Sequence, residues 1–245
     1  MSGGGEHEPF VLQEGVEDVQ LDGDLIQLLR AELAPFDNVE IIHGDILSLL
    51  APGHPQSPIP NLQWPVAPGQ SPASTYKVVA NIPYYITAPI LRRLLESRPR
   101  PSVLVLTVQA EVAERICAGP GQMSVLAVSV QFYGLPEIVA GLPAGAFYPP
   151  PQVDSAVVRI TVRDTWAAPV PDVDQFFRVV QAGFSQKRKQ LKNSLAGGLR
   201  LAPAEVLAAL LAVGVEPTRR AETLSLEEWG QVNKALAGAE AEHDR

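Results

Sequence analysis

Cysteine is nearly missing from this 245-residue chain, which has only Cys117. A single thiol excludes an internal disulfide and a cysteine metal cluster, and it fits a reducing, cytoplasmic setting. Four scattered histidines offer no ligand spacing, so no metal is expected. No apolar run approaches the length that crosses a bilayer, which excludes a membrane span and membrane partners. The first eight residues are glycine-rich and acidic, without the basic flank and apolar stretch of a secretion signal. Internal repeats are not evident. Acidic residues are themselves missing between Asp174 and Glu205, where Arg178, Lys187, Arg188, Lys189, Lys192 and Arg200 all fall. The net charge of −8 argues at first against a nucleic-acid partner. One concentrated basic segment can nevertheless attract phosphate locally. Its bland alternative is a solvated helix face.

What remains is an ordinary globular composition, 46% hydrophobic, able to support one large domain or a medium and a small one. Val16 to Leu21 reads as a strand, and Asp24 to Leu33 has the apolar spacing of a helix. Asn38 to Ile42 reads as a second strand, ending in His43-Gly44-Asp45. Residues 51–72 hold seven prolines, too many for a packed element, and read as a surface insert. Val78 to Ala80 is a strand, followed by a helix from about Ala88 to Ser97. Val103 to Val108 is the near-continuous apolar run of a strand covered on both faces. Helices are expected over Glu111 to Ala118 and Val125 to Tyr133. Glu137 to Ala140 and Ser155 to Val162 form a closing antiparallel pair. Alternating strands and helices give an open, mainly parallel α/β sheet over residues 1–165. Beyond a proline-containing junction, residues 172–242 are helical by pattern.

Ligands bind outside the carboxyl ends of parallel strands in such sheets. Polar groups fall at three of these ends: Gln20-Leu21-Asp22, Gly44-Asp45 and Asn81-Ile82-Pro83-Tyr84. The last places an amide, a proline-fixed backbone and an aromatic face together. That combination can hold an exocyclic amine on a flat ring, although an Asn-x-Pro turn is also common loop chemistry. Asp45 can accept from an amino group or close an Asx turn. Asp22 and Asp24 can each cap the following helix, and for Asp24 a cap is the better reading than a ligand-binding role. The stretch Phe147-Tyr148-Pro149-Pro150-Pro151 presents rings on a stiff backbone, as a flipped base requires, or is simply a rigid crossover. Leu191 and Leu195, four apart, are core positions, which turns the neighbouring lysines and arginine outward toward RNA phosphate.

Three ordered segments carry a family resemblance: Asn81-Ile-Pro-Tyr-Tyr-Ile-Thr87, Phe147-Tyr-Pro-Pro-Pro-Gln-Val-Asp-Ser-Ala-Val-Val-Arg159, and Phe184 to Leu195. Weaker support comes from His43-Gly-Asp45, Gln109 to Arg115 and Glu216 to Glu222. Together they resemble the KsgA-type family of small-subunit ribosomal RNA adenine-N6,N6-dimethyltransferases. The resemblance implies a class I Rossmann-like methyltransferase sheet, S-adenosylmethionine as methyl donor, and small-subunit ribosomal RNA or a pre-ribosomal subunit as partner. It also implies a monomeric, cytoplasmic enzyme. Asn81 and the Ile82 carbonyl would accept from the adenine N6–H groups. Pro83 would fix the turn, Tyr84 would stack on the base, and Phe147 would hold its other side or edge. Gln20, Asp45 and Asn81 would serve the donor, and Lys187, Arg188, Lys189 and Lys192 the RNA. The family pattern also includes a first strand and a Gly-x-Gly loop that this sequence does not match. Where that pattern has an acidic residue for the ribose hydroxyls, this chain has Gln20. Two alternatives stay open: an inactive RNA-binding or ribosome-assembly remnant, and a large-subunit adenine methyltransferase.

Overall fold

The computed structural model describes residues 16–20, 22–51, 76–97 and 99–243, in two units comprising residues 1–64 and 65–245. In the first unit, strand β1 (Val16–Gln20) leads to helix α1 (Gly23–Glu32), strand β2 (Val39–His43) and the one-turn helix α2 (Ile46–Leu49). β1 and β2 pair in parallel with Gln20 opposite His43, so both carboxyl ends lie at one edge. The side chain of Asp22 caps α1, accepting from the amides of Asp24 and Leu25 at 2.9 and 3.4 Å. Asp24 is therefore not the cap. The helix starts at Gly23, so Asp24 lies in the first turn, where its charge complements the positive helix end. Leu21 and all of the proline-rich insert except Ala51 lie outside the described residues.

The second unit is built on a four-stranded sheet of strands β3 (Lys77–Asn81), β4 (Val103–Gln109), β5 (Gly134–Leu142) and β6 (Ser155–Val162), in the spatial order β3-β4-β6-β5. β3 and β4 are parallel; β4–β6 and β6–β5 are antiparallel. The apolar run Val103 to Val108 is a central strand, as its composition predicts, with Leu104, Leu106 and Val108 fully buried. β5 is longer than the expected Glu137 to Ala140. It tolerates Pro136 because it lies at the sheet edge, and a bulge at Val139 lets the strand continue past the shift in register.

Helix α3 (Thr87–Glu96) follows β3, with a short 3-10 turn at Tyr84–Ile86 between them. Ile90, Leu91, Leu94 and Leu95 form its buried stripe, while Arg92 and Glu96 pair one turn apart at 3.0 Å. Helices α4 (Ala110–Cys117) and α5 (Val125–Tyr133) lie between β4 and β5 in the chain. α5 is apolar nearly all round and is correspondingly buried.

After β6 every described element is helical: α6 (Val173–Phe184), α7 (Leu191–Leu199), α8 (Pro203–Ala212) and α9 (Leu226–His243), with a 3-10 turn at Ala221–Thr223. An aromatic cluster ties α5 to these helices. Phe132 stacks on Trp166 and Phe176 with ring centroids 5.7 and 4.7 Å away. Two glycines permit close helix approach. A Cβ on Gly183 would lie 2.4 Å from the Trp229 ring, and one on Gly198 would lie 2.6 Å from the Ala182 Cβ. Leu191 and Leu195 are fully buried, as their spacing predicts. Among the described residues, no helix is long and apolar enough to cross a membrane.

Candidate active site

The turn after β3 begins where the ladder stops. Asn81 is the last residue of the strand, paired with Thr107 of β4, and its side chain is exposed. Ile82 is buried at 6% exposure and anchors the turn, while Pro83 fixes φ at the exit. Neither the Asn81 side-chain amide nor the Ile82 carbonyl is bonded to another described residue, so consecutive residues carry two uncommitted acceptors. The turn itself is closed by other groups. Ile86 donates its amide to the Pro83 carbonyl at 3.1 Å, and the Thr87 hydroxyl donates to the Tyr84 carbonyl at 3.0 Å.

Tyr84 is half-buried, and its hydroxyl lies 2.7 Å from the Ser155 hydroxyl. Ser155 is 1% exposed and opens β6 opposite Gln109. Its neighbour Asp154 binds two further segments: its side chain accepts from the Ala144 amide at 2.9 Å, and its carbonyl accepts from the Ala110 amide at 3.0 Å. The Ala144 contact holds the 3-10 turn Ala144–Ala146, whose next residue is Phe147, itself half-buried. Asp154 and Ser155 thus connect the Asn81–Tyr84 turn, the start of α4 and the Phe147 loop. Tyr148 beyond it is fully exposed. Asp154 and Ser155 fall inside the Phe147–Arg159 segment, but the segment's pattern alone gives them no role. The available signal was a polar pair at the mouth of an otherwise apolar strand.

In the first unit, Asp45 follows β2 and caps α2, accepting from the Leu47 amide at 3.0 Å and the Ser48 hydroxyl at 3.2 Å. The Asx-turn reading is realised, and each carboxylate oxygen retains acceptor capacity beyond its single bond. Gly44 makes room for Leu49, whose side chain comes within 3.0 Å of where a Cβ would stand. The backbone of Gln20 ends β1, but its side chain lies outside the described residues. Among the described residues no cluster of three metal-type ligands occurs.

The basic segment is not a helix face. α6 ends at Phe184, and Lys187, Arg188 and Lys189 occupy the exposed turn before α7; Lys192 is half-buried in the first turn of α7. The turn is held from the far side, where the Leu191 amide donates to the Arg219 carbonyl at 2.7 Å. Arg219 in turn bonds both carboxylate oxygens of Glu228 and the Thr223 carbonyl. The Glu222 carbonyl accepts from Gly121 and Met123, joining the α4–α5 loop to the helical segment at 2.8 and 3.1 Å.

A mixed sheet in which the parallel pair β3–β4 is extended by antiparallel β6 and β5, so less parallel than the sequence pattern predicts, carries an amide-proline-tyrosine turn at a parallel strand's carboxyl end, the arrangement expected of a nucleic-acid amino methyltransferase. A family model described as ribosomal RNA adenine dimethylase matches residues 15–238, and the chain belongs to that family. It is 44% identical over 211 residues to ribosomal RNA small subunit methyltransferase A of Dehalococcoides mccartyi, covering 86% of this chain and 67% of the relative. It is 42% identical over 224 residues to the protein of the same name from Moorella thermoacetica, covering 89% and 74%. Among solved structures, a dimethyladenosine transferase from Plasmodium falciparum superposes with a TM-score of 0.67 at 22% identity, covering 90% of this chain and 82% of that one. The 23S rRNA methyltransferase ErmE gives 0.64 at 24%, covering 91% and 82%. These two likenesses concern the fold.

Proposed function

We propose that this chain transfers methyl groups from S-adenosylmethionine to the N6 amines of adenines in small-subunit ribosomal RNA. The observation that carries the reading is the pair of uncommitted acceptors, Asn81 and the Ile82 carbonyl, beside a tyrosine ring fixed through its hydroxyl. An adenine N6 lone pair is delocalised into the ring and is a poor nucleophile. Accepting its two N–H bonds favours a more pyramidal nitrogen with an available lone pair. After the first methylation one N–H remains, and either acceptor can still engage it. Tyr84 supplies the face that replaces lost base stacking, and Phe147 borders the base from the loop that Asp154 holds. These residues act by positioning and by oriented dipoles, and the N6 proton that each methyl group replaces would pass to solvent.

The bound donor supplies an electrophilic methyl group on sulfonium sulfur. Gln20, Asp45 and Asn81 are the residues proposed to hold it, and the parallel register that sets Gln20 opposite His43 supports a shared polar edge for the first two. The helical segment 172–242 serves as the RNA-binding module, with Lys187, Arg188, Lys189 and Lys192 facing phosphate. The small-subunit assignment rests on the relatives at 42–44% identity, which all bear that name.

The test is donor binding by calorimetry, followed by methyl incorporation into undermethylated small ribosomal subunits. Asn81→Ala should lower incorporation about 100-fold, the scale of losing one oriented polar group at a reacting centre. Its unfolding midpoint should not move, because the side chain is exposed and unbonded. RNA binding without donor affinity in the unaltered chain would reject this reading.

A further inference from the structure

We infer that the groove between α6 and α7 is a second RNA site, which holds one nucleotide of the bound strand apart from the target adenine. This deepens the reading of the chain as an RNA methyltransferase and rests on it. The groove encloses about 390 Å³ and is lined by Gln175, Arg178, Gln181 and Ser185 of the α6 side and by Gly198 and Leu199 of α7. That volume lies within the roughly 300–1,000 Å³ typical of small-ligand pockets.

The lining has the chemistry of a nucleotide. Arg178 is exposed and makes no salt bridge with a described residue, so its guanidinium fork is available to a phosphodiester. Gln181 likewise has no described partner and can both donate to and accept from a base edge or a ribose hydroxyl. The Ser185 hydroxyl gives its proton to the Ala182 carbonyl at 2.7 Å, which leaves its oxygen with acceptor capacity. The opposite wall is apolar and narrow. Gly198 lies against Ala182, and beside this close approach a flat ring or ribose can rest against Leu199.

The surrounding charge selects RNA over a protein partner. No acidic residue occurs from Gln175 to Ala204, and six cationic residues do, in a chain whose net charge is −8. In the chain, Ser185 is followed within two residues by the exposed turn bearing Lys187, Arg188 and Lys189, and Leu199 is followed by the exposed Arg200. A strand whose phosphates follow the basic turn can extend along α6 as far as Arg178, beyond which the exposed Asp174, one turn away, sets an acidic limit.

The test uses the whole chain, undermethylated small ribosomal subunits and the same subunits with RNA carrying 4-thiouridine. Arg178→Ala should weaken RNA binding about three- to tenfold and lower the magnitude of the salt slope by about 0.7, one single-strand phosphate contact. Gln181→Leu should weaken binding about threefold with the slope unchanged, because it removes a neutral contact. Cross-links should map to residues 175–185 or 198–199. Unchanged affinity in both variants, without cross-links there, overturns the groove site even if methyl transfer proceeds normally. Binding losses in both variants without 4-thiouridine cross-links at those residues overturn it in favour of a protein partner. Groove cross-links and the two binding losses in a chain that transfers no methyl would support the site and reject the methyltransferase reading.

Discussion

The hydrogen bond between Tyr84 and Ser155 makes an asymmetric prediction that tests how the aromatic wall is held. The two oxygens are 2.7 Å apart, a good O–H···O distance. Their surroundings differ: Ser155 is 1% exposed, whereas Tyr84 is half-buried. In Ser155→Ala the tyrosine hydroxyl loses its partner but can turn to water, so the loss is the net value of one bond, about 1 kcal/mol. In Tyr84→Phe the serine hydroxyl is left buried, which costs about 1–3 kcal/mol. The tyrosine change should therefore destabilise more. The double variant should lose less than the sum, with a coupling near 1 kcal/mol, because no polar group remains unpaired. Urea unfolding of the four proteins measures this.

Turnover provides the second readout. If Ser155 acts as a positioning residue through Tyr84, all three variants should show a lower kcat, within about threefold of one another. KM for the RNA should change little, since the basic turn and the groove are untouched. Strict additivity in stability, or a double variant whose kcat falls by the product of the single effects, would refute the coupling.

Two predictions concern the helices that carry the basic turn. Gly198→Ala places a Cβ 2.6 Å from that of Ala182 and should cost about 1–3 kcal/mol, because backbone must shift. Gly197→Ala, one residue earlier, meets nothing closer than the Gln186 amide at 3.8 Å and should be neutral or stabilising by up to about 1 kcal/mol. Thermal melts that rank the pair the other way would reject the close crossing of α6 and α7. The hydrogen bond from Arg219 holds the Glu228 carboxyl below its ordinary value, against the opposing effect of partial burial. A depressed folded value means that its contribution is present above the unfolded value, about pH 4.3, and is lost as pH falls through the folded one. Glu228→Gln should thus lower stability by about 1 kcal/mol at pH 7, and the difference from the unaltered chain should shrink toward pH 3. A difference independent of pH would remove the charge from the account.

The chain's sequence determined most of what is local. Strand β4 was legible because a run with five apolar residues in six has few other places to go, and α3 because its leucines recur at the helical period. Leu191 and Leu195 announced their burial by spacing alone. The polar turn at Asn81–Tyr84 was legible as chemistry, because an amide, a proline and an aromatic ring at a strand exit are a local combination. Only the tertiary structure decided what those residues touch. Asp22 rather than Asp24 caps α1 because the helix begins one residue sooner than its apolar pattern shows. Lys187 to Lys189 stand on a turn because α6 stops at Phe184, where the chain turns back so that Gly198 can meet Ala182. Ser155 reaches Tyr84 across 71 residues. No period or spacing encodes that bond. It exists because β6 inserts beside β4 and delivers its first hydroxyl to the turn that β3 leaves behind.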